Sequence, residues 1–235
     1  MSETDFRLER DMIGEKAIPA HALYGIHSLR AAENFPITGQ HLSRQMIESL
    51  GWIKKACARA NGQCGALPAR IAGAIEQAAD EVIAGKWDGA FIVDPIQGGA
   101  GTSTNMNGNE VIANRAIQLL GGKPGDYTLV NPNDHVNCGQ STNDVYPTCG
   151  KMVLYGAMTG LMAELRRLIG AMEEKAAAFD DVVKMGRTQM QDAVPIRLGQ
   201  EFRAYAAVLR REEKRLRRGQ EEMLSLNLGG TAIGT

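Results

Sequence analysis

The side chains that could do chemistry concentrate in three segments, each built from small neutral donors. Residues 97–109, QGGAGTSTNMNGN, pair glycines that let the backbone approach a ligand with the hydroxyls and amides of Thr102, Ser103, Thr104, Asn105 and Asn107. The segment departs from a dinucleotide fingerprint because Thr104 stands where GxGxxG needs its third glycine, and from a Walker loop because no lysine follows Gly101. A glycine- and asparagine-rich surface turn is an equally good reading of it. The second segment, 131–147 (NPNDHVNCGQSTNDVYP), sets Ser141, Thr142 and Asn143 just before a long helical pattern. Unpaired amides and the positive end of the dipole at a helix start suit a carboxylate or phosphate, and simple N-capping accounts for one of these residues better than for all three. His135 reads as structural, with no second histidine or cysteine at ligand spacing, so no metal site is expected. The third, 185–195 (MGRTQMQDAVP), joins two long helical patterns, and Arg187, Thr188 and Gln189 fit an anion or a polar turn equally well.

These segments need elements to hold them. Residues 1–40 are turn-rich and read as an irregular lead-in, interrupted by Pro19, Gly25, Pro36 and Gly39. From Ser43, a good N-cap, Met46, Ile47, Leu50, Ile53 and Cys57 recur at helical spacing as far as Gly62 or Gly65. Pro68 suits the first turn of a second helix carrying Ile71, Ile75, Ala78, Ala79 and Val82, and a third is predicted over 109–120. Extended signals are weak, confined to 91–93 and 127–130. Further on, Leu154, Met158, Leu161, Leu165, Leu168 and Met172 mark a heptad seam in a proline-free run over 148–179. Leu198, Phe202, Tyr205, Leu209, Leu216 and Met223 repeat the pattern. Each run predicts a rod of about 45 Å. Two such rods cannot cover each other's apolar stripes, so a bundle completed by other chains or by further sequence is expected.

Composition excludes several classes. Among 235 residues, 26 basic and 27 acidic groups nearly cancel, which argues against a nucleic-acid binder. The basic cluster at 210–218 is interleaved with Glu212 and Glu213 and followed by Glu221 and Glu222, the pattern of an ion-paired helix face. With 44% hydrophobic and 23% charged residues the chain is globular rather than disordered, and no apolar stretch is long enough for a membrane span. The charged start suggests a cytoplasmic protein, and Cys57, Cys64, Cys138 and Cys149 read as reduced thiols.

Taken in order, RLERDMIGEKAIPAHALYGIHSLRAAENFPI, GGAGTSTNMNGNEVIANRA, NPNDHVN, QSTNDVYPT, KMGRTQMQDAVPIRLGQEFRAY and LNLGGTAIGT resemble the aspartase/fumarase superfamily, and within it the aspartate ammonia-lyase branch. The resemblance implies a mainly α fold: a mixed helical domain over 1–140, then the first long helices of a central bundle domain over 141–235. It also implies a homotetramer with active sites shared between subunits, and a lyase that converts L-aspartate to fumarate and ammonium through a carbanion. By matching motifs, Thr102, Ser141, Thr142, Asn143, Thr188 and Gln189 would surround the substrate. Thr102, Thr142, Thr188 and Gln189 would lie at or near the β-carboxylate and Asn143 near the amino group. No organic cofactor is implied, though magnesium or a similar divalent ion activates some members. Gln189 and the QSTND wording favour aspartase over the alternative, fumarate hydratase, where histidine and serine are usual at the positions of Gln189 and Thr142. Gly139 stands where a bulkier residue is expected. The family's base is a serine on a GSSxMPxKxN loop, which these 235 residues do not contain. The chain therefore reads as an amino-terminal half, expected to be inactive alone, with a non-catalytic assembly subunit as the alternative from a different class.

Overall fold

A computed structural model of the chain describes residues 5–97 and 99–234. It resolves into two compact units: the residues up to Val153 together with those from Leu226 onward, and Leu154–Ser225.

In the first unit the lead-in is ordered. Strands β1 (Phe6–Asp11) and β2 (Gly14–Pro19) form an antiparallel hairpin, and α1 follows over Ile26–Asn34. These elements escape a periodicity reading because single polar side chains hold them. The Asp11 carboxylate accepts the amides of Ile13 (2.9 Å) and Gly14 (3.1 Å), closing a turn in which Gly14 has φ of 134°. The Arg7 guanidinium donates to the carbonyls of Pro19, Ala20, Ala22 and Tyr24.

The core comes from α2 (Arg44–Gln63), α3 (Ala69–Ile83) and α4 (Thr102–Leu119). Ser43 caps α2 as its sequence suggests, accepting the amide of Met46 at 3.3 Å, and Pro68 stands at the N-cap of α3. Of the predicted stripe on α2, Ile47, Leu50 and Ile53 are buried, while Met46 and Cys57 are half-buried; Ile75, Ala78, Ala79 and Val82 face them from α3. Burial of each leucine or isoleucine contributes roughly 1.5–3 kcal/mol.

Helix α4 corrects an expectation: it begins seven residues before Asn109, so the larger part of the glycine-rich segment, from Thr102 on, is helical. Buried on most sides, it carries polar residues that must be paired inside. Asn107 is one: its Oδ1 accepts the amides of Ile92 (2.9 Å) and Val93 (3.4 Å), and its Nδ2 donates to Ala90. That is why 91–93 is not a strand: a side chain takes the amides that a neighbouring strand would have bonded. Residues 127–130 are not extended either, because the amides of Tyr127 and Leu129 close turns onto Gly125 and Asp126. A single π-helical turn, Pro132–Val136, leads on to α5.

Helix α5 (Thr142–Ala178) takes Thr142 and Asn143 into its first turn rather than starting just after them, and runs through Pro147, ahead of the proline-free run. Between it and α6 (Leu198–Glu222) the expected helical turn is instead a second hairpin, β3 (Val183–Thr188) with β4 (Gln191–Arg197). Its register slips by one residue between Met185 and Arg187, a bulge at Gly186, whose Cβ would lie 2.8 Å from the carbonyl of Val194. In this second unit Met162, Ile169, Ala176 and Ala206 are buried, whereas Leu154, Leu161, Leu168, Tyr205 and Val208 remain exposed. The seam at positions 154, 161 and 168 is thus an uncovered stripe. The basic cluster is ion-paired: Arg210 with Glu173, Arg215 with Glu212 at 2.8 Å, and Arg217 with Glu213 at 3.2 Å. All four cysteines are free thiols, and among the described residues no helix is long and apolar enough to cross a membrane.

The start of α1 is fastened to α4 by Glu110, which is fully buried. Its carboxylate accepts the amides of Gly25 (2.8 Å), His27 (2.9 Å) and Ser28 (3.1 Å) along with the Ser28 hydroxyl, and pairs with His27 Nδ1 at 3.0 Å. Burial alone would raise this carboxyl, but the hydrogen bonds from His27 and Ser28 outweigh it and hold it below its ordinary 4.5. Hydrogen bonding to Glu110 raises His27 above its ordinary 6.5, against the opposing effect of burial. Glu110→Ala should therefore cost about 3 kcal/mol of unfolding free energy by denaturant titration, because it orphans four donors and an imidazole. In the unsubstituted chain the pair's stabilisation should be complete between pH 4.5 and 6.5. It should be lost as pH falls through the depressed carboxyl value and as pH rises through the raised imidazole value, and the melting temperature of Glu110→Ala should lack both dependences.

Candidate functional site

Thr102 and Thr142 occupy equivalent places: each is the first residue of a helix, α4 and α5, at its positive dipole end. Gly101, the N-cap of α4, has φ of 86° and lies against the ring of Tyr146, a turn into α5. A Cβ there would stand 2.6 Å or less from three ring carbons, so only glycine allows this approach. The contact seats the glycine-rich segment on the first turns of α5. The two border a cavity of about 490 Å³ lined by Gln97, Gly99, Ala100 and Gly101 from one side and by Asn143, Tyr146 and Pro147 from the other.

The N-terminus of α5 is organised by a capping box. The Ser141 hydroxyl accepts the Asn143 amide at 3.2 Å and Asn143 Nδ2 at 3.0 Å, while the Asp144 carboxylate accepts the Ser141 amide at 2.9 Å. N-capping thus explains Ser141, as the sequence allowed for one of the three. The Thr142 hydroxyl accepts from Asn105 Nδ2 at 3.3 Å, which ties the second segment to α4. Pro147 has no N–H to donate to the carbonyl of Asn143, so that carbonyl loses its ordinary helical partner beside the cavity. On the other side, Gln97 caps α4: its Oε1 accepts the Thr104 amide at 2.9 Å and its Nε2 donates to the Thr104 hydroxyl at 2.7 Å.

Of the six predicted site residues, Thr102, Ser141, Thr142 and Asn143 belong to the first unit, on the two helix starts joined by Gly101 and Tyr146. Thr188 and Gln189 belong to the second, at the exposed tip of the β3–β4 hairpin. The turn there has two residues, Gln189 (φ 49°) and Met190 (φ 61°), both left-handed although neither is glycine or asparagine. That backbone is strained by about 1–2 kcal/mol at each of the two residues, a feature found at functional turns. Sequence reasoning passed over Tyr146, Asp144 and Gln97; the S-x-x-D spacing from Ser141 was a readable signal for Asp144, while nothing local marked the other two. His135 is structural, its Nδ1 accepting the Asn131 amide at 2.9 Å. Gly139 has φ of 67°, and a Cβ there would meet only Asn61 Oδ1, at 3.9 Å, so its backbone conformation accounts for the small residue. Among the described residues no group of three or more His, Cys, Asp or Glu is arranged to hold a metal ion.

A lyase family model matches residues 14–235. The aspartate ammonia-lyase of Bacillus subtilis is 51% identical across 99% of this chain and 49% of its own length. That of Escherichia coli K12 is 47% identical across 98% and 49%. Among solved structures, the cobalt-bound fumarate lyase:delta crystallin of Brucella melitensis aligns with a TM-score of 0.91 at 49% identity, covering 98% of this chain and 51% of the other. The class II fumarase of Schistosoma mansoni aligns with a TM-score of 0.88 at 36% identity, covering 98% and 49%. The chain spans about half the length of the curated relatives it matches.

The Gly101–Tyr146 contact makes a specific demand. Gly101→Ala should lower stability by about 2 kcal/mol by urea titration, part from the left-handed backbone and part from displacing the ring. In a Tyr146→Ala background the same substitution should cost only the backbone part, about 1 kcal/mol; equal costs in both backgrounds would mean that the ring does not rest on the glycine.

Proposed function

Because the chain belongs to the lyase family of the aspartase/fumarase superfamily, we propose that the protein containing it is an aspartate ammonia-lyase, to which these residues contribute the donor half of the active site. The observation that carries the reading is the pair of helix starts held together by the glycine–tyrosine contact, with Gly101, which precedes Thr102, and Asn143, which follows Thr142, lining the cavity between them.

The reaction removes a proton from the carbon beside the β-carboxylate of L-aspartate and expels ammonium. Between the two steps the carbanion's electron pair spreads onto that carboxylate, which becomes dianionic. Such an intermediate forms at a useful rate only if donors already point where the charge will develop. Hydroxyls and helix-terminal amides meet this need without titrating, and they bind the dianion better than the ground-state monoanion, which is the difference that accelerates the step. In this proposal Thr102 and Thr142 serve the β-carboxylate, joined by Thr188 and Gln189 from the hairpin tip of this or another subunit. Asn143 is assigned to the amino group, and Ser141 holds Asn143 through the bond between their side chains. The base is assigned to a serine of the superfamily's GSSxMPxKxN loop, outside these 235 residues. We further assign 1–140 to an N-terminal helical domain and 141–235 to the opening of a long-helix bundle. The exposed stripe at Leu154, Leu161 and Leu168 would be covered in a cytoplasmic homotetramer.

The test uses the complete gene product. Incubated with L-aspartate it should release fumarate, followed by absorbance, and with fumarate plus ammonium it should return aspartate. Malate from fumarate alone would assign it to the hydratase branch instead. Thr142→Val, which keeps the shape and removes the donor, should reduce kcat/KM about 100-fold or more, mainly in kcat.

A further inference from the structure

Lys54 in α2 is fully buried, yet its ammonium meets no carboxylate among the described residues. Its Nζ donates instead to two neutral amide oxygens, Asn137 Oδ1 at 2.8 Å and Gln140 Oε1 at 2.9 Å. An ammonium taken out of water without a counter-ion destabilises a fold, and a methionine of similar shape would avoid that cost. Burial pulls the lysine down to about 7, against the smaller raising effects of Cys57 on the same helix and Asp144 at the start of α5.

The two acceptors bracket the turn that delivers Ser141. Asn137 Nδ2 donates to the Gln140 carbonyl at 3.2 Å, and Gln140 Nε2 donates to the carbonyls of Val136 and Cys138. The same Asn137 Oδ1 that takes the lysine also accepts Asn105 Nδ2 at 3.2 Å, and this amide group in turn donates to the Thr142 hydroxyl at 3.3 Å. Lys54 thus stands at one end of a chain of polar contacts whose other end is a proposed substrate-binding hydroxyl. Asn105 is itself buried, and its Oδ1 has no partner among the described residues, so the amide is held by the bonds from its nitrogen.

We propose that Lys54 is a positioning residue: its ammonium fixes the 137–140 turn and, through Asn137 and Asn105, the aim of the Thr142 hydroxyl. The geometric half of this stands on the contacts above; the kinetic half rests on the lyase reading.

The experiment is Lys54→Met in the complete gene product, alone and combined with Thr142→Val. If Lys54 acts through Thr142, Lys54→Met should cut kcat about 30-fold with KM changed less than about threefold, and should cost less than about threefold more once Thr142 is valine. Equal losses in both backgrounds would overturn the proposal, as would a folded Lys54→Met enzyme of unchanged kcat. Amide hydrogen exchange is read in parallel. Residues 137–145 should lose about tenfold or more in protection while α3 keeps its own, and unchanged protection at 137–145 overturns the geometric half. If the unsubstituted protein makes no fumarate from aspartate, the lyase reading fails on its own, and hydrogen exchange still decides whether Lys54 holds the turn. Should Lys54→Met fail to accumulate, Asn137→Ala removes the shared acceptor and must show the same non-additivity with Thr142→Val.

Discussion

With no side chain at Gly101, the ring of Tyr146 can lie against the backbone that starts α4, and from that contact follows the meeting of two helix N-termini at one cavity. Either helix alone would present its positive end to solvent, where water screens it. Brought together at a cavity that remains open to solvent, the two positive dipole ends add to each other's field there. The glycine's left-handed backbone at the N-cap is what lets the chain turn into the helix at that point.

The electrostatic character of the site is set by what stands close and what is held back. Uncharged hydroxyls and amides head the two helices, and the buried Lys54 sits behind the turn and reaches it through Asn137 and Gln140. A cation in direct contact with a dicarboxylate would tighten binding of substrate and intermediate alike, whereas one that stiffens neutral donors leaves the preference for the more charged species intact.

How much of this the sequence disclosed varied with the physics behind each part. Helices α2 and α3 were legible because their apolar residues recur at a fixed interval, and the cap at Ser43 and the proline at 68 gave their starts. Helix α4 was shortened in the reading because its first two turns are asparagine, threonine and serine, types that favour turns unless the fold pairs them, as it does here through Gln97, Asn107 and Asn105. Both hairpins were missed for a related reason. The first depends on Asp11 and Arg7 rather than on alternation, and the second joins strands through a Gln-Met turn that lacks the usual Asn-Gly signal. The donors Thr102, Ser141, Thr142 and Asn143 stood out as a cluster of types, but Tyr146, whose ring joins their two segments, did not, because a contact across 45 residues leaves no local trace.

The residues after α6 return to the first unit, where the amide of Gly229 bonds the Asp144 carboxylate at 2.9 Å, the same carboxylate that caps α5. Topologically, the two long helices and their hairpin are an excursion that departs and comes home at a single acid, 85 positions apart along the chain. Closing a flexible loop of that length would cost on the order of 4 kcal/mol, a cost that helical order within the excursion lessens. The acid that caps α5 therefore also fixes where the excursion closes, so one carboxylate serves both the helix start and the return of the chain.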